Sequence, residues 1–351
     1  MSTGNATRWY TTIEAVKEAT GTKGASLDSL LGGYIEAGTE DVEEFLRRSF
    51  IPETTERLYR WPPRNGGGAV LRIPNEDLIA VTLLKTKRQD SSPTTIVADD
   101  FFVEPVNEGP PFTRIEIKSS STASFEAGDT SQRSIGVTGR FGYREDTVAA
   151  GTVTSGLASS SSATSMVCSD SSLIGVGDTL LIESDALFVS AKLLVDTTID
   201  LDDTLTADKN DVTVTLDAAV KEGEVITIDS ERMLVASISG LNHTVERAYD
   251  GSTLAAHSSG ANVFAPRTLT LVRAVNGVAA ATHANDTAIA KYAPPADIQG
   301  YVLAYAIANM HQDSTKRTGV AGGDQGSVET KGFSLWAMRE ALIVKYGTVT
   351  L

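Results

Sequence analysis

Cysteine is almost absent from this 351-residue chain: Cys168 stands alone. A single thiol cannot close an internal disulfide, so the fold is not built around an oxidising compartment. With no basic partner visible in the sequence, Cys168 reads as a small buried apolar residue. Long apolar runs are missing too. No stretch approaches the roughly 18 apolar residues needed to cross a bilayer, and the opening MSTGNATRWYTTIEAV has no secretory core. The chain is expected to be made in the cytoplasm, to stay soluble and to have no membrane partner. Basic residues are in deficit, 30 Lys and Arg against 45 Asp and Glu, for a formal charge of −15. A grip on nucleic acid through phosphate neutralisation needs Lys and Arg clusters, so that class of binder is disfavoured. A negative surface facing a duplex repels it, which suits a conduit through which DNA slides.

Catalytic signatures are also lacking. The sequence holds no phosphate-binding glycine loop, nucleophile elbow or His-Glu metalloprotease motif, and no carboxylate pair stands out from the acidic background. The run Asp196, Asp200, Asp202, Asp203 lacks the glycine and closing glutamate of a calcium loop and reads as a solvated linker. These absences lead to the expectation of a protein without catalytic residues, metal or cofactor.

What the chain does have is repetition. GDTLLIESDALFVSA from Gly177 recurs as GEVITIDSERMLVAS from Gly223, and VERAYDGSTLAAHSSGANV from Val245 recurs as VRAVNGVAAATHANDTAI from Val272. Arg247, Gly251 and His257 meet Arg273, Gly277 and His283 at one constant offset of 26, with no gap. The first half is separated from the second by 28 residues in one copy (223 to 251) and 100 in the other (177 to 277), so one module holds an insertion of 100 − 28 = 72 residues. That insertion is the other copy. Two nested units fall short of the three or more that a solenoid or propeller stacks. They point to a small β barrel or sandwich that tolerates insertion at a surface loop. Hairpins are expected around Glu183-Ser184-Asp185, Asp229-Ser230-Glu231, Asp250-Gly251 and Asn276-Gly277. One repeated histidine per module is short of any zinc pattern, so His257 and His283 read as structural hydrogen-bonding residues, and Arg247 and Arg273 as braces for a turn or carboxylate.

The flanks read differently. Trp9 to Gly21 is a short helix with Ile13 and Val16 on one face. Helical spacing then runs from Leu27 to Phe50, through Gly32, Gly33 and Gly38, which suit close packing against a neighbour. After Pro52 the period turns towards two, and TTERLYRWP, AVLRIP, IAVTLLKT, FFVEPV, RIEIK and SIGVTGRFGY read as one compact antiparallel sheet. TSGLASSSSATS from Thr154 reads as an exposed linker. A helical pattern returns after Pro294-Pro295, and a final helix is expected in FSLWAMREALIVKYG, with Phe333, Trp336, Ile343 and Tyr346 near one face. The expected architecture is α+β: a discontinuous helical-bundle plus antiparallel-sheet core at 1–150 and 294–351, an outer β module at 151–203 and 267–293, and an inner one at 204–266.

The segments YTTIEAVKEATG, LDSLLGGYIEAGTEDVEEFLRRSFIP, TTERLYRWPP, LRIPNEDLIAVTLLK, DDFFVEPVNEGPPFTRIEI, VTGRFGY and PPADIQGYVLAYAIANM, in that order, resemble the head-to-tail connector (adaptor) proteins of tailed bacteriophages. The resemblance covers roughly residues 9 to 145 and 294 to 350. It implies a virion neck protein that forms a homo-oligomeric ring, commonly of about twelve copies, beneath the portal protein and lines part of the DNA channel. DNA then passes without specific binding. The bundle and C-terminal segment face the portal, which makes Phe333, Trp336, Ile343 and Tyr346 candidate portal contacts, and a downstream neck or tail-terminator protein binds below. Gly32, Gly33 and Gly38 become candidate ring-packing positions. The C-terminal aromatics can equally fill the chain's own core. About 150 residues separate sheet from late helix where the family has few, and these modules are expected to project outward. The alternative function is a decorative or glycan-binding virion protein, although the modules offer only Phe188, Tyr249, Phe264 and Tyr292 as aromatic platforms.

Overall fold

The computed structural model describes residues 8–61, 68–73, 77–158, 160, 162–318 and 335–347. The chain is α+β. Helix α1 (Ile13–Thr20) starts where Thr12 Oγ1 accepts from the Ala15 amide at 3.2 Å and stops at Gly21, whose φ of 66° is left-handed. Helix α2 (Asp28–Leu46) buries Leu31, Ile35, Val42 and Leu46 at helical spacing. It ends at Leu46, short of Phe50, because Arg47 turns to a φ of 54°. Helix α3 (Ala296–Thr318) adds Ile298, Tyr301, Val302 and Ala306 to the same core, and helix α4 (Leu335–Tyr346) adds Leu342 and Tyr346. Polar links reinforce the bundle: Tyr301 donates to Asp41 at 2.6 Å, Tyr346 donates to Asp297 at 2.9 Å, and Lys345 reaches Asp297 at 2.6 Å. The bundle is therefore assembled from both ends of the chain.

The segment after Pro52 forms two sheets where one was expected. Strands β1 (Glu53–Tyr59), β2 (Val70–Arg72), β3 (Leu78–Thr86), β4 (Thr94–Ile96), β5 (Phe101–Glu104), β6 (Arg114–Ile117) and β7 (Ile135–Phe141) sort into a four-stranded sheet, β1-β7-β3-β4, and a three-stranded one, β2-β6-β5. β4 covers only Leu84–Thr86 of β3, and the chain then leaves that edge so that β5 pairs with β6. Both sheets close over one core that includes Trp61, Leu71, Ile115, Ile135 and Phe141. Alternation along a strand names its buried face but not its neighbour.

The repeats form a continuous ten-stranded sheet rolled into two barrels. Its strands are β8 (Thr147–Thr152), β9 (Ser165–Val167), β10 (Thr179–Ile182), β11 (Asp185–Asp200), β12 (Thr213–Thr215), β13 (Val225–Ile228), β14 (Glu231–Ser239), β15 (Asn242–Glu246), β16 (Asn262–Val272) and β17 (Ala288–Tyr292). The outer barrel runs β8-β17-β10-β11-β16-β9 and closes through the bridge from Val153 to Cys168. The inner barrel runs β11-β16-β13-β14-β15-β12 and closes through the bridge from Leu201 to Leu216. The long strands β11 and β16 belong to both. Their first contact region, Phe188 to Leu193 against Thr268 to Val272, walls the outer barrel, and Val195 to Asp200 against Asn262 to Ala265 walls the inner.

The geometry extends the repeat beyond its sequence signal. Val153, Leu157, Met166 and Cys168 correspond at an offset of 48 to Leu201, Leu205, Val214 and Leu216, and all eight are buried. The stretches expected to be linkers, after Thr154 and around Asp200 to Asp203, are thus structural parts of each barrel, held by the bridges Leu157–His283 and Leu205–His257. Cys168 occupies the place of a core leucine. Burial pushes its thiol up to about 11, which removes the thiolate at neutral pH.

The hairpin turns at Glu183 and Asp229 form as expected, with φ of 55° and 52°. Asp250-Gly251 and Asn276-Gly277 do not form hairpin tips. They lie in short 3-10 turns whose flanking strands are unpaired with each other, and both turns dock onto the core. Asp250 Oδ1 accepts from the Gly24 amide at 2.7 Å. A Cβ on Gly277 would stand 1.9 Å from the Thr54 carbonyl oxygen. The rings of Trp9 and Phe188 meet edge to face at 5.3 Å and complete the contact.

Candidate functional site

The repeated charged residues converge in each barrel behind its first hairpin. In the inner barrel Glu231, the first residue of β14, is fully buried and accepts from Arg247 Nε at 2.8 Å and Arg247 Nη2 at 2.9 Å. The same carboxylate accepts from the amides of Ala248 and Ala255, both at 2.9 Å. His257 spans two acids, with Nε2 3.0 Å from Glu231 and Nδ1 2.7 Å from Asp229. Arg247 also donates to the carbonyls of Thr206, Asp211 and Ala255, at 3.1, 3.0 and 2.7 Å. Burial alone would raise the Glu231 carboxyl. The hydrogen bonds from Arg247, the Ala255 amide, His257 and the Ala248 amide outweigh it and hold the group at about 2.

In the outer barrel Asp185 takes the place of Glu231, Arg273 of Arg247 and His283 of His257. Arg273 Nη2 donates to Asp185 Oδ2 and to the Ala281 carbonyl, the latter at 2.6 Å. His283 stands 3.2 Å from Asp185 and 3.0 Å from Glu183. Each cluster ties a hairpin to the loop that follows the 3-10 turn. Apart from Arg273 Nε, which has no hydrogen-bond partner among the described residues, the arginine and histidine nitrogens named above point at protein acceptors, so the arrangement braces a loop. The sequence reading missed the acids at its centre, although acid-Ser-acid stands at the tip of both first-half repeats. It also overlooked a second histidine of the inner barrel, His243, which is fully buried where the outer barrel has Leu269. Among the described residues no group of three or more His, Cys, Asp or Glu could hold a metal ion.

A second clamp joins the barrels. Buried Glu224 accepts from Arg267 Nε at 2.8 Å and Nη2 at 2.6 Å and from the amide and hydroxyl of Ser171, at 3.0 and 2.8 Å. Ser171 belongs to the outer barrel and Glu224 to the inner.

The expected surface positions separate. Two of the three helix glycines are filled from within the chain: a Cβ on Gly32 would lie 2.7 Å from Trp9, and one on Gly38 would lie 3.0 Å from Tyr305, while Gly33 faces open space. Tyr346 is only 4% exposed, packed on Phe50 and Tyr143, and does not share a face with Trp336 and Ile343, which are 67% and 44% exposed. The reason is the helical period: Trp336 and Ile343 are about 20° apart, and Tyr346 falls about 80° from Trp336 towards buried Leu342, whereas Val344 falls about 80° the other way. Phe333 lies outside the described residues. Val344, 88% exposed, joins the outward face. Helix α4 is thus apolar on both sides, Leu342 and Tyr346 inward and Trp336, Ile343 and Val344 outward. No helix among the described residues is long and apolar enough to cross a membrane. No protein-family model, curated protein or solved structure matches the chain.

Proposed function

We propose that this chain is a structural virion protein, a head-to-tail adaptor that assembles as a ring against the portal and lets DNA pass without gripping it. The observation that carries the reading is the outward face of α4. Among the described residues α2 and α3 cover only the inner side of α4, and large apolar side chains exposed on its outer side, beside the charged Arg339, Glu340 and Lys345, mark a surface for a partner. Trp336, Ile343 and Val344 supply an aromatic and two aliphatic anchors of the kind that fill pockets on a partner. The core beneath is tied by Asp41, Asp297 and Arg339, so the face is presented on a fixed helix. The barrels leave and rejoin the core at the paired strands β8 and β17, a junction compatible with modules carried on the outside of a ring.

Charge enters the reading at one place. Residues 196–265 hold 13 acidic and 4 basic residues, 4 − 13 = −9 of the chain's −15, so most of the negative charge sits in the inner barrel and the core that would line the channel is closer to neutral. The experiment is size-exclusion chromatography with light scattering on the full chain mixed with the portal protein of the same phage. A portal-bound species of about twelve copies supports the adaptor reading, and Trp336→Ala with Ile343→Asp should abolish it while the circular dichroism spectrum stays unchanged. Failure to bind assembled portal overturns the reading and leaves the decorative or glycan-binding alternative, which glycan screening addresses.

A further inference from the structure

The duplicated barrels serve as controls for each other: their central acids, Glu231 and Asp185, differ by one methylene, and the outer acids on the histidines, Asp229 and Glu183, differ in the opposite sense. In the inner barrel Glu231 uses both oxygens: Oε2 takes Arg247 Nη2, the Ala255 amide and His257, while Oε1 takes Arg247 Nε at 2.8 Å and the Ala248 amide at 2.9 Å. In the outer barrel Asp185 is shorter. Its Oδ2 reproduces the first set, with Arg273 Nη2, the Ala281 amide at 3.1 Å and His283 at 3.2 Å. Its Oδ1 reaches nothing. Asp185 Oδ1 and Arg273 Nε are both buried without a hydrogen-bond partner among the described residues, on side chains with no solvent exposure. Unpaired buried groups of this kind are strongly disfavoured, most of all when charged.

We propose that the outer barrel binds one ordered water molecule at the position that Glu231 Oε1 fills in the inner barrel. The molecule accepts from Arg273 Nε and from the Ala274 amide, the counterpart of Ala248, and donates to Asp185 Oδ1. The chemistry selects water among possible occupants. The space left by one methylene and one shifted oxygen is about one heavy atom in size, and the occupant must accept twice and donate once. Asp185 repels an anion there and Arg273 repels a cation. Three hydrogen bonds are the usual number for a buried water. The outer cluster, which already holds its loop by direct bonds to Ala281 and His283, is therefore completed by an exchangeable molecule, whereas the inner cluster is completed by the protein alone.

The test is a high-resolution crystal structure of the full chain, as wild type and as Asp185→Glu. Wild type should show density bridging Arg273 Nε, the Ala274 amide and Asp185 Oδ1, with none between Arg247 and Glu231. In D185E the longer carboxylate should expel it, and exchange of the Ala281 amide should slow severalfold. Glu231→Asp makes the reciprocal change and should bring a water into the inner barrel. If E231D does not fold, the wild type and D185E still decide the matter. Empty density in the wild-type outer cluster, or a water that persists in D185E, overturns the proposal.

Discussion

Glutamine at position 231 keeps the shape of the side chain and removes its charge. In the folded protein that charge lies between Arg247, His257 and two amides with no solvent exposure. Removing one member of a buried pair costs about 3–5 kcal/mol, because the remaining charge is left without compensation. Titration gives a second figure. A carboxyl held at about 2 when folded, against about 4.3 when unfolded, corresponds to at most about 3 kcal/mol. The amide oxygen still accepts some bonds, so a loss of about 3 kcal/mol near neutral pH is expected for Glu231→Gln. The pH dependence follows from the lowered carboxyl. Its contribution is complete above the unfolded value and fades as pH falls from about 4.3 towards about 2, where both states are protonated. Wild type should therefore lose stability through that window, and the gap between wild type and E231Q should close. Urea unfolding at pH 7, 5, 4 and 3, with amide exchange at Ala248 and Ala255 as the local probe, measures both effects. A gap that stays constant on acidification, or no gap at neutral pH, refutes the assignment of Glu231 as the charged centre of the inner barrel.

Gly277→Ala should cost at least about 2 kcal/mol and loosen the outer barrel from β1, since left-handed strain adds to a clash with the Thr54 carbonyl. Gly251→Ala, where the nearest atom to the added Cβ is Lys23 Cβ at 3.4 Å, should cost only the strain, about 1 kcal/mol; equal losses on thermal unfolding would contradict the docking role. Cys168 should resist alkylation at pH 8 in the folded protein and react only after denaturation, because burial both shields it and pushes its thiol up to about 11. Excising 196–265 and joining Val195 to Pro266 through Asn-Gly should leave a folded protein, because the six strand segments of the outer barrel lie outside the excised residues and Val195 already pairs with Ala265. Loss of cooperative unfolding in that variant would mean that the barrels fold only together.

Several features were legible in the sequence because short-range physics decides them. The ends of α1 follow from Thr12 and Gly21, and its buried face from Ile13 and Val16. The first-half repeats give their hairpins through period-two alternation, and the unequal separations of 28 and 100 residues between half-repeats reveal the nesting without any coordinates. The short strands β9 and β12 were hidden because duplication preserved only burial there: Met166 against Val214 and Cys168 against Leu216 share apolar character but not identity, within otherwise polar stretches. Tertiary structure alone decided the rest. It chose which strands pair, and so two sheets around one core and two barrels sharing β11 and β16, because hydrogen-bond partners across a sheet leave no mark along a strand. It turned Asp250-Gly251 and Asn276-Gly277 from hairpin tips into docking turns, since left-handed residues fix a bend and not what the bend touches. It also gathered Glu231, Arg247 and His257 from three separate segments, where burying a charge is tolerable only because its partners arrive with it.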